Sequence, residues 1–344
     1  MNIDTGTGIA VIGYGSWATA LVHVLTLNGH HVHWYIRNAD ILDSVQADGI
    51  NCKYLSDVEL AKDNITASDD LNDVVSHCGI LFMVTPAAYL KVFLEPLRTS
   101  LDGKFIISAI KGTVPGKEAT VSEFLHNDYG VPYSHLGVIC GPTHAEEVSH
   151  GRMTYISAAC ADEDDAEKIS GLLSCKHLKV SISEDIRGTE YAAILKNIYA
   201  IAAGLASGLG YGDNFLAVLV SDCSAEMRKV LSAVNNKTAS CRISGPEDES
   251  AGELTVNALG DLLVTCYSNY SRNRRLGVLI GRGCTVKSAL NEMTMVAEGY
   301  FAANGIKHII DRLGIDAPIV EMVYNVLYNK SNPRKEMKRL ESAL

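Results

Sequence analysis

Short apolar runs alternate with amphipathic stretches through the first half of the chain. Runs of the β type, bounded by turn residues, stand at "GIAVIG" (8–13), "HVHWYIR" (31–37), "GILFMVTP" (79–86), "KFIISAI" (104–110) and "LGVICGP" (136–142). Strands separated by helical patterns in this way predict a parallel sheet covered by helices. Two later runs, "MTYISAAC" (153–160) and "LKVSISED" (178–185), flank the acidic helical pattern "DEDDAEKISGLL" and are expected to extend the same sheet. After about residue 186 helical periodicity takes over, which predicts an α/β domain over 1–188 and a nearly all-helical domain over 189–344. The polar stretch "NNKTASCRISGPEDESAGE" (235–253) reads as a surface loop. No internal repeat or low-complexity tract interrupts this plan.

Composition narrows the class of partner. The chain has 344 residues, 47% of them hydrophobic, enough for two domains with sizeable cores. A net charge of −10 argues against nucleic acid or an anionic membrane surface and leaves small ligands as the expected partners. Nine cysteines, an odd number without a CxxC pair, predict reduced structural thiols in a cytoplasmic protein, with neither a disulfide framework nor a metal site. The start "MNIDTGTGIAVIGYG" lacks a basic leader, and no apolar run reaches the roughly 18 residues of a membrane span, so a soluble, unprocessed chain is expected.

Chemistry enters at the first strand. "IAVIGYGSWATAL" sets Gly13, Gly15 and Ala18 in a G-x-G-x-x-A pattern between a strand and a helix. Glycines there let the backbone approach a pyrophosphate, and the helix N-terminus offers unpaired N–H groups and a positive dipole. The strand before this pattern, the helix after it and the following strand favour a dinucleotide site over a plain tight turn between strand and helix. An NAD-specific site places a carboxylate at the end of the second strand. Here Arg37 stands in that place, with no acid before Asp40. An arginine there either pairs with a 2′-phosphate, favouring NADP or dual use of NADP and NAD, or is a solvated strand-end residue.

Residues following the other strands would face the same crevice. These include Lys111 and Gly112 after "ISAI", and Gly141, Pro142 and Thr143 after "VIC". Taken alone, Lys111 reads as a surface lysine in a turn. In the helical half, Asp261 and Thr265 are four apart and share a helical face, and Ser271, Arg272, Asn273, Arg274 and Arg275 form a basic cluster suited either to solvent or to a phosphate. Lys196 and Asn197 sit in the apolar run "YAAILKNIYAIAAG". Relative to Lys196, a helix puts Ala192, Ala193, Ala200, Ala203 and Gly204 on one stripe of small side chains. Close helix packing with the lysine reaching out to water, and a ligand lying over the stripe, are both open explanations.

Together the segments "GYGSWATAL", "NCKYL", "KG", "GPTHAEEV", "LKNIYAIAAGLASGLGYGDN", "LGDLLVTC", "SRNRRLG" and "AEGY" resemble, in order and over almost the full chain, the NAD(P)-dependent glycerol-3-phosphate dehydrogenase family of bacterial type. The resemblance implies interconversion of sn-glycerol 3-phosphate and dihydroxyacetone phosphate, usually to supply a phospholipid precursor, at a site in the cleft between a Rossmann-type and a helical domain. It places the catalytic lysine on Lys196. Substrate positions fall on Lys111, Gly141, Thr143, Asp261, Ser271, Arg272 and Asn273, with Asn197 and Thr265 beside them. Cofactor positions fall on Ser16, Trp17, Arg37, Tyr54, Lys111, Ala145, Arg272, Val296 and Glu298, in addition to Gly13, Gly15 and Ala18. The chain departs from the family pattern at Thr143-His144, in "VLVSDCSAEM" and in "TVNALGDL", none of which removes a reacting group.

The implied chemistry is hydride transfer at the substrate C2 carbon with proton exchange at its oxygen. A lysine serves as the base when its surroundings favour the neutral form, with Lys111 as the neighbouring cation and Asp261 and Thr265 as orienting partners. The alternatives are a β-hydroxyacid dehydrogenase-like reductase, against which the Arg272-Asn273 pair argues, and a non-catalytic nucleotide-sensing relative. The sequence leaves a homodimer open.

Overall fold

The computed structural model describes residues 3–237, 254–293 and 295–342. The chain divides into two compact units, Met1–Ile110 with Val121–Ile186, and Lys111–Thr120 with Arg187–Leu344. The segment Lys111–Thr120, within the range read from the sequence as the first domain, therefore belongs to the second unit.

The first unit is built on one eight-stranded sheet of β1 (Gly8–Ile12), β2 (Val32–Tyr35), β3 (Ile65–Ser68), β4 (Cys78–Met83), β5 (Phe105–Ser108), β6 (Leu136–Cys140), β7 (Thr154–Cys160) and β8 (Leu178–Ser183). The spatial order is β3-β2-β1-β4-β5-β6-β7-β8. All neighbours are parallel except β6 and β7, which run antiparallel, so the expected parallel sheet is mixed near one edge. Its helices are α1 (Ser16–Leu27), α2 (Ala39–Asp48), α3 (Leu71–Ser76), α4 (Leu90–Leu94), α5 (Val121–Tyr129), α6 (Ala145–Ser149) and α7 (Glu163–Leu173). Central strands such as β1 and β4 are buried along nearly their whole length, which is why they read as continuous apolar runs rather than as alternating ones.

Register decides where ligands can meet the sheet. Ile12 lies opposite both Tyr35 and Met83, and Met83 lies opposite Ser108, so the carboxyl ends of β2, β1, β4 and β5 line up along one rim. The strand order reverses at β1, between β2 and β4, and open α/β sheets bind their ligands at such a reversal. Residues that the sequence reading assigned to strand ends, including Gly13 and Arg37, have left the ladder at this rim.

The second unit is helical: α8 (Ile186–Leu209), α9 (Asp213–Lys237), α10 (Val256–Tyr267), α11 (Arg272–Gly281), α12 (Val286–Glu292), α13 (Glu298–Leu313), α14 (Pro318–Leu327) and α15 (Pro333–Glu341). Residues 235–237 of the expected loop belong to α9, and 238–253 lie outside the described residues. Helix α8 has the length of a membrane span and a mean hydropathy of 1.4 over an 18-residue window, contrary to the expectation of no such run, but 83% of that window is buried within the protein. It forms the axis of the unit's core, with Leu195, Ile198, Tyr199 and Ile201 packed against Leu219, Cys223, Leu262 and Ile306.

Where α8 meets α11 the helices touch backbone to backbone. A Cβ on Gly204 would lie 2.0 Å from the Arg274 carbonyl oxygen, and one on Gly277 would lie 2.2 Å from that of Ile201. Gly208 and Gly281 repeat this arrangement further along the crossing. Elsewhere Glu226 of α9 accepts the N–H groups of Ile319 and Val320, at 2.7 and 3.1 Å, and so caps the start of α14. Burial pushes its carboxyl up to about 7, against the opposing pull of those N–H groups. Glu226 and Cys223 both lie in the departing stretch "VLVSDCSAEM", whose residues thus serve packing within the helical unit.

Candidate active site and cofactor cradle

The glycine turn after β1 is fixed from several sides. Gly13 has φ +127°, and a Cβ there would lie 2.1 Å from the Val84 carbonyl oxygen, so a side chain is excluded. Its own carbonyl accepts Trp34 Nε1–H at 2.6 Å. Asn51 Nδ2 donates to the Tyr14 carbonyl at 2.9 Å and to Thr19 Oγ1 at 2.8 Å. Trp34 and Asn51 therefore hold the turn, although their distance from it in the chain gave no sequence signal of that role.

Gly15 caps α1 in extended conformation, with no capping side chain and no acid in the first turn. A Cβ on Gly15 would meet nothing within 4 Å. The first N–H groups of α1, beginning at Ser16, Trp17 and Ala18, thus open the helix beside free space, and its dipole favours an anion there. A dinucleotide pyrophosphate fits this donor set. Arg37, two residues beyond β2, is exposed, and its guanidinium lies over the Phe93 ring at 4.7 Å from the centroid. Asp40, the first acid after it, is bonded to Lys53 at 2.5 Å, and that bond holds its carboxyl below the ordinary value. Tyr54 is half-buried, with its N–H on Asn51 Oδ1 at 3.1 Å. Gly141 and Thr143 follow β6, with Thr143 Oγ1 donating to the Gly141 carbonyl at 3.3 Å, and Ala145 begins α6. All of these belong to the first unit.

The second unit brings Lys111, Lys196, Asp261 and Thr265 together. Lys196 does not reach out to water: it is 6% exposed, and its ammonium bonds Asp261 Oδ1 and Thr265 Oγ1. Thr265 donates its own proton to the Asp261 backbone carbonyl at 2.5 Å, which leaves its oxygen as the acceptor for the lysine. Lys111 approaches Asp261 Oδ2 at 3.2 Å. Burial acts to raise the Asp261 carboxyl, but the two ammoniums outweigh it and hold the group below its ordinary value. One carboxylate thus faces two lysine side chains.

A chain of amide hydrogen bonds runs beside this cluster. Asn197 Nδ2 donates to the Lys111 carbonyl at 2.9 Å, Asn273 Nδ2 donates to Asn197 Oδ1 at 2.9 Å, and Gly299 N donates to Asn273 Oδ1 at 2.9 Å. It ties the 111–120 segment, α8, α11 and the start of α13 into one arrangement. Both asparagines bind protein here, a positioning link that linear spacing did not foresee. Ser271 caps α11, its Oγ accepting the Arg274 N–H at 3.2 Å, and Arg272 follows as an exposed residue with no side-chain hydrogen bond or ion pair among the described residues. Ser271, Arg272 and Asn273 therefore stand at the positive end of a ten-residue helix. Val296 is half-buried just before α13, and Glu298 begins it.

The small-residue stripe has a different use at one end. Gly204 lies against the backbone of α11, so there the stripe serves helix packing rather than a ligand. The eight described cysteines form no disulfide with one another. Burial pushes Cys78 up to about 11 and both Cys160 and Cys266 up to about 12, which leaves them inert at neutral pH. Among the described residues no cluster could hold a metal.

A glycine turn with an open helix N-terminus at the reversal of a doubly wound sheet, together with a helical unit holding a buried lysine cluster, defines a dinucleotide-binding protein of the two-unit oxidoreductase kind. Comparison with known proteins narrows this class. The family model described as NAD-dependent glycerol-3-phosphate dehydrogenase N-terminus matches residues 8–166, and that of the C-terminus matches 185–338. The glycerol-3-phosphate dehydrogenase (NAD(P)+) of an Exiguobacterium species is 36% identical over 334 residues, covering 96% of this chain and 94% of that protein. The enzyme of the same name from Staphylococcus carnosus is 34% identical, covering 94% of each. The crystal structure of glycerol-3-phosphate dehydrogenase from Coxiella burnetii superposes with a TM-score of 0.84 at 27% identity, covering 97% of this chain and 98% of that one. The chain belongs to the NAD-dependent glycerol-3-phosphate dehydrogenase family.

Proposed function

We propose that the protein interconverts sn-glycerol 3-phosphate and dihydroxyacetone phosphate, using NADP or NAD as the redox partner. The observation that carries this reading is the buried Lys196, held by Asp261 and Thr265 next to Lys111. Family membership favours it over a β-hydroxyacid dehydrogenase or a non-catalytic sensor. When bound, the nicotinamide supplies or receives the hydride at C2.

Lys196 exchanges the proton with the C2 oxygen, and Asp261 and Thr265 aim its ammonium. Lys111, as the neighbouring cation, stabilises negative charge developing on that oxygen during reduction. Arg272, with Ser271 and the N-terminus of α11, takes the substrate phosphate and fixes C2 in reach of the proton donor. Asn197 and Asn273 keep the phosphate end and the lysine end in register. Gly141 and Thr143 are further candidates for substrate binding. Gly13, Gly15, Ser16, Trp17 and Ala18 cradle the pyrophosphate, Arg37 meets a 2′-phosphate, and Tyr54, Ala145, Val296 and Glu298 complete the cofactor contacts.

In this reading the product feeds phospholipid synthesis. The reduced state of the eight described cysteines supports a cytoplasmic setting, and a homodimer stays open, as it does in the sequence. The test is NADPH consumption with dihydroxyacetone phosphate, dihydroxyacetone and a 3-oxo acid. A strong preference for the phosphorylated ketone is expected, and equal rates on all three would refute the proposal.

A further inference from the structure

Helix α11 carries more positive charge than the proposed substrate site uses. Arg274, Arg275 and Arg282, with Ser207, Asn269 and Val278, line a cavity of about 330 Å³ on the helical unit, and none of Ser271, Arg272 and Asn273 contributes to it. Arg274, Val278 and Arg282 recur every four residues, so they share one face of α11 and its end.

The charge there is poorly compensated. Arg275 Nη2 has Glu292 Oε1 at 3.6 Å, between side chains that are each about half exposed. The Arg282 guanidinium has no hydrogen bond or ion pair among the described residues. Arg274 donates from Nη1 to Asn269 Oδ1 at 3.1 Å and from Nη2 to Ser207 Oγ at 3.5 Å, while its Nε is buried without an acceptor. Three guanidiniums gathered against one carboxylate repel each other, and this occurs in a chain of net charge −10.

We propose that this cavity is a second anion site, built for a small dianionic oxyanion of the phosphate type, either inorganic phosphate or a phosphate monoester. Guanidinium forks match the oxygens of such an ion, and the volume lies at the small end of ligand sites, which span about 300–1,000 Å³. The ligand bridges the end of α8, through Ser207, to α11. These are the helices that carry Lys196 and Asn273.

The test uses the full chain with Arg272→Ala, which removes the proposed substrate-phosphate contact. Inorganic phosphate is titrated by calorimetry, at constant ionic strength, into this variant saturated with NADPH, which occupies the proposed cofactor cradle and its anion-binding groups. One saturable site is expected to remain. Adding Arg275→Gln and Arg282→Gln, both at exposed positions, should weaken it at least about tenfold, and Arg282→Lys should recover part of the loss. Circular dichroism checks that each variant is folded. Repeating the titration with glycerol 2-phosphate distinguishes the sources: tighter binding than inorganic phosphate assigns the site to an ester, weaker binding assigns it to the free ion, and either upholds it. The absence of a saturable site in Arg272→Ala, or binding that survives the two glutamine substitutions, overturns the proposal.

Discussion

Lys196→Met separates the chemical role of this residue from its structural one. Methionine keeps most of the stem inside α8, so the substitution removes the ammonium and its bonds to Asp261 and Thr265 while disturbing little volume. Asp261 still has Lys111 at 3.2 Å. Breaking a buried pair costs about 3–5 kcal/mol when the remaining charge is stranded, and the retained second ammonium should limit the cost here to about 1–3 kcal/mol. At about 2–4 °C per kcal/mol for a unit of this size, the melting temperature falls by roughly 2–12 °C. Asp261→Asn does the opposite. It leaves two ammoniums facing a neutral amide, incurs the full ~3–5 kcal/mol, and should melt lower than Lys196→Met.

In catalysis the order reverses. Loss of a positioned proton-transfer group lowers kcat by ~10²–10⁴, or about 2.7–5.5 kcal/mol of barrier, with less change in KM. The assays are steady-state NADPH oxidation with dihydroxyacetone phosphate across pH, and thermal melts of the same samples. Acid stability supplies a further check. Because Asp261 is held below its unfolded value, its contribution is present above that value, about 3.9, and is lost as pH falls through the folded value. Removing one of the two cations should therefore move acid unfolding to higher pH. If Lys196→Met keeps turnover within about threefold of the wild type, or melts below Asp261→Asn, the reasoning is refuted.

Other perturbations probe the remaining parts. Arg37→Ala should raise KM for NADPH and leave that for NADH nearly unchanged, and a wild type that strongly prefers NADH with no response to the substitution would remove Arg37 from cofactor choice. Arg272→Ala should lose ~1.5–3 kcal/mol of transition-state binding for the phosphorylated ketone alone, measured as kcat/KM against dihydroxyacetone, whereas equal losses on both ketones would contradict phosphate capture. Glu226 is raised by burial to about 7, so the unfolded chain gives up its proton first and stability falls as pH rises from about 4.3 to 7; Glu226→Gln should flatten that part of a denaturation series, and an unchanged slope would count against the cap. Gly204→Ala drives a methyl group to 2.0 Å from the Arg274 carbonyl and should cost at least ~1–3 kcal/mol, together with kcat as α8 and α11 part; unchanged melting and turnover would show the crossing to be slack.

The sheet was legible in the sequence because its central strands are buried on both faces and bounded by turn residues. Strand β3, "ITAS", escaped because it is a short, half-exposed edge strand without an apolar run. The antiparallel β7 could not be distinguished from a parallel strand, since apolar spacing carries no direction. In the helical half the four-residue spacing of Asp261 and Thr265 foretold that they share a face, whereas spacing left open whether Lys196 reaches water, and only its contacts with those two residues on another helix decide for burial. The amide chain from Lys111 through Asn197 and Asn273 to Gly299 was not legible. Its links join positions separated by 86, 76 and 26 residues, and pairwise geometry at that range leaves no periodic trace. The same holds for Trp34 and Asn51 behind the glycine turn.

The helical unit is discontinuous in the chain: the stretch Lys111–Thr120 is separated from its remainder by Val121–Ile186. On a ribosome, Lys111 emerges 150 residues before Asp261, a delay of roughly 8–30 s at about 5–20 residues per second. Until α8 is made, the decapeptide has no helix of its own unit to join, while β6, β7 and β8, made after it, complete the sheet. The delay also governs dissection of the gene. A cut between residues 186 and 187 would yield one fragment with a stranded decapeptide and another whose Asp261 lacks Lys111 and whose Asn197 lacks its acceptor carbonyl. A nascent chain holds a finished sheet well before it holds a finished charge cluster.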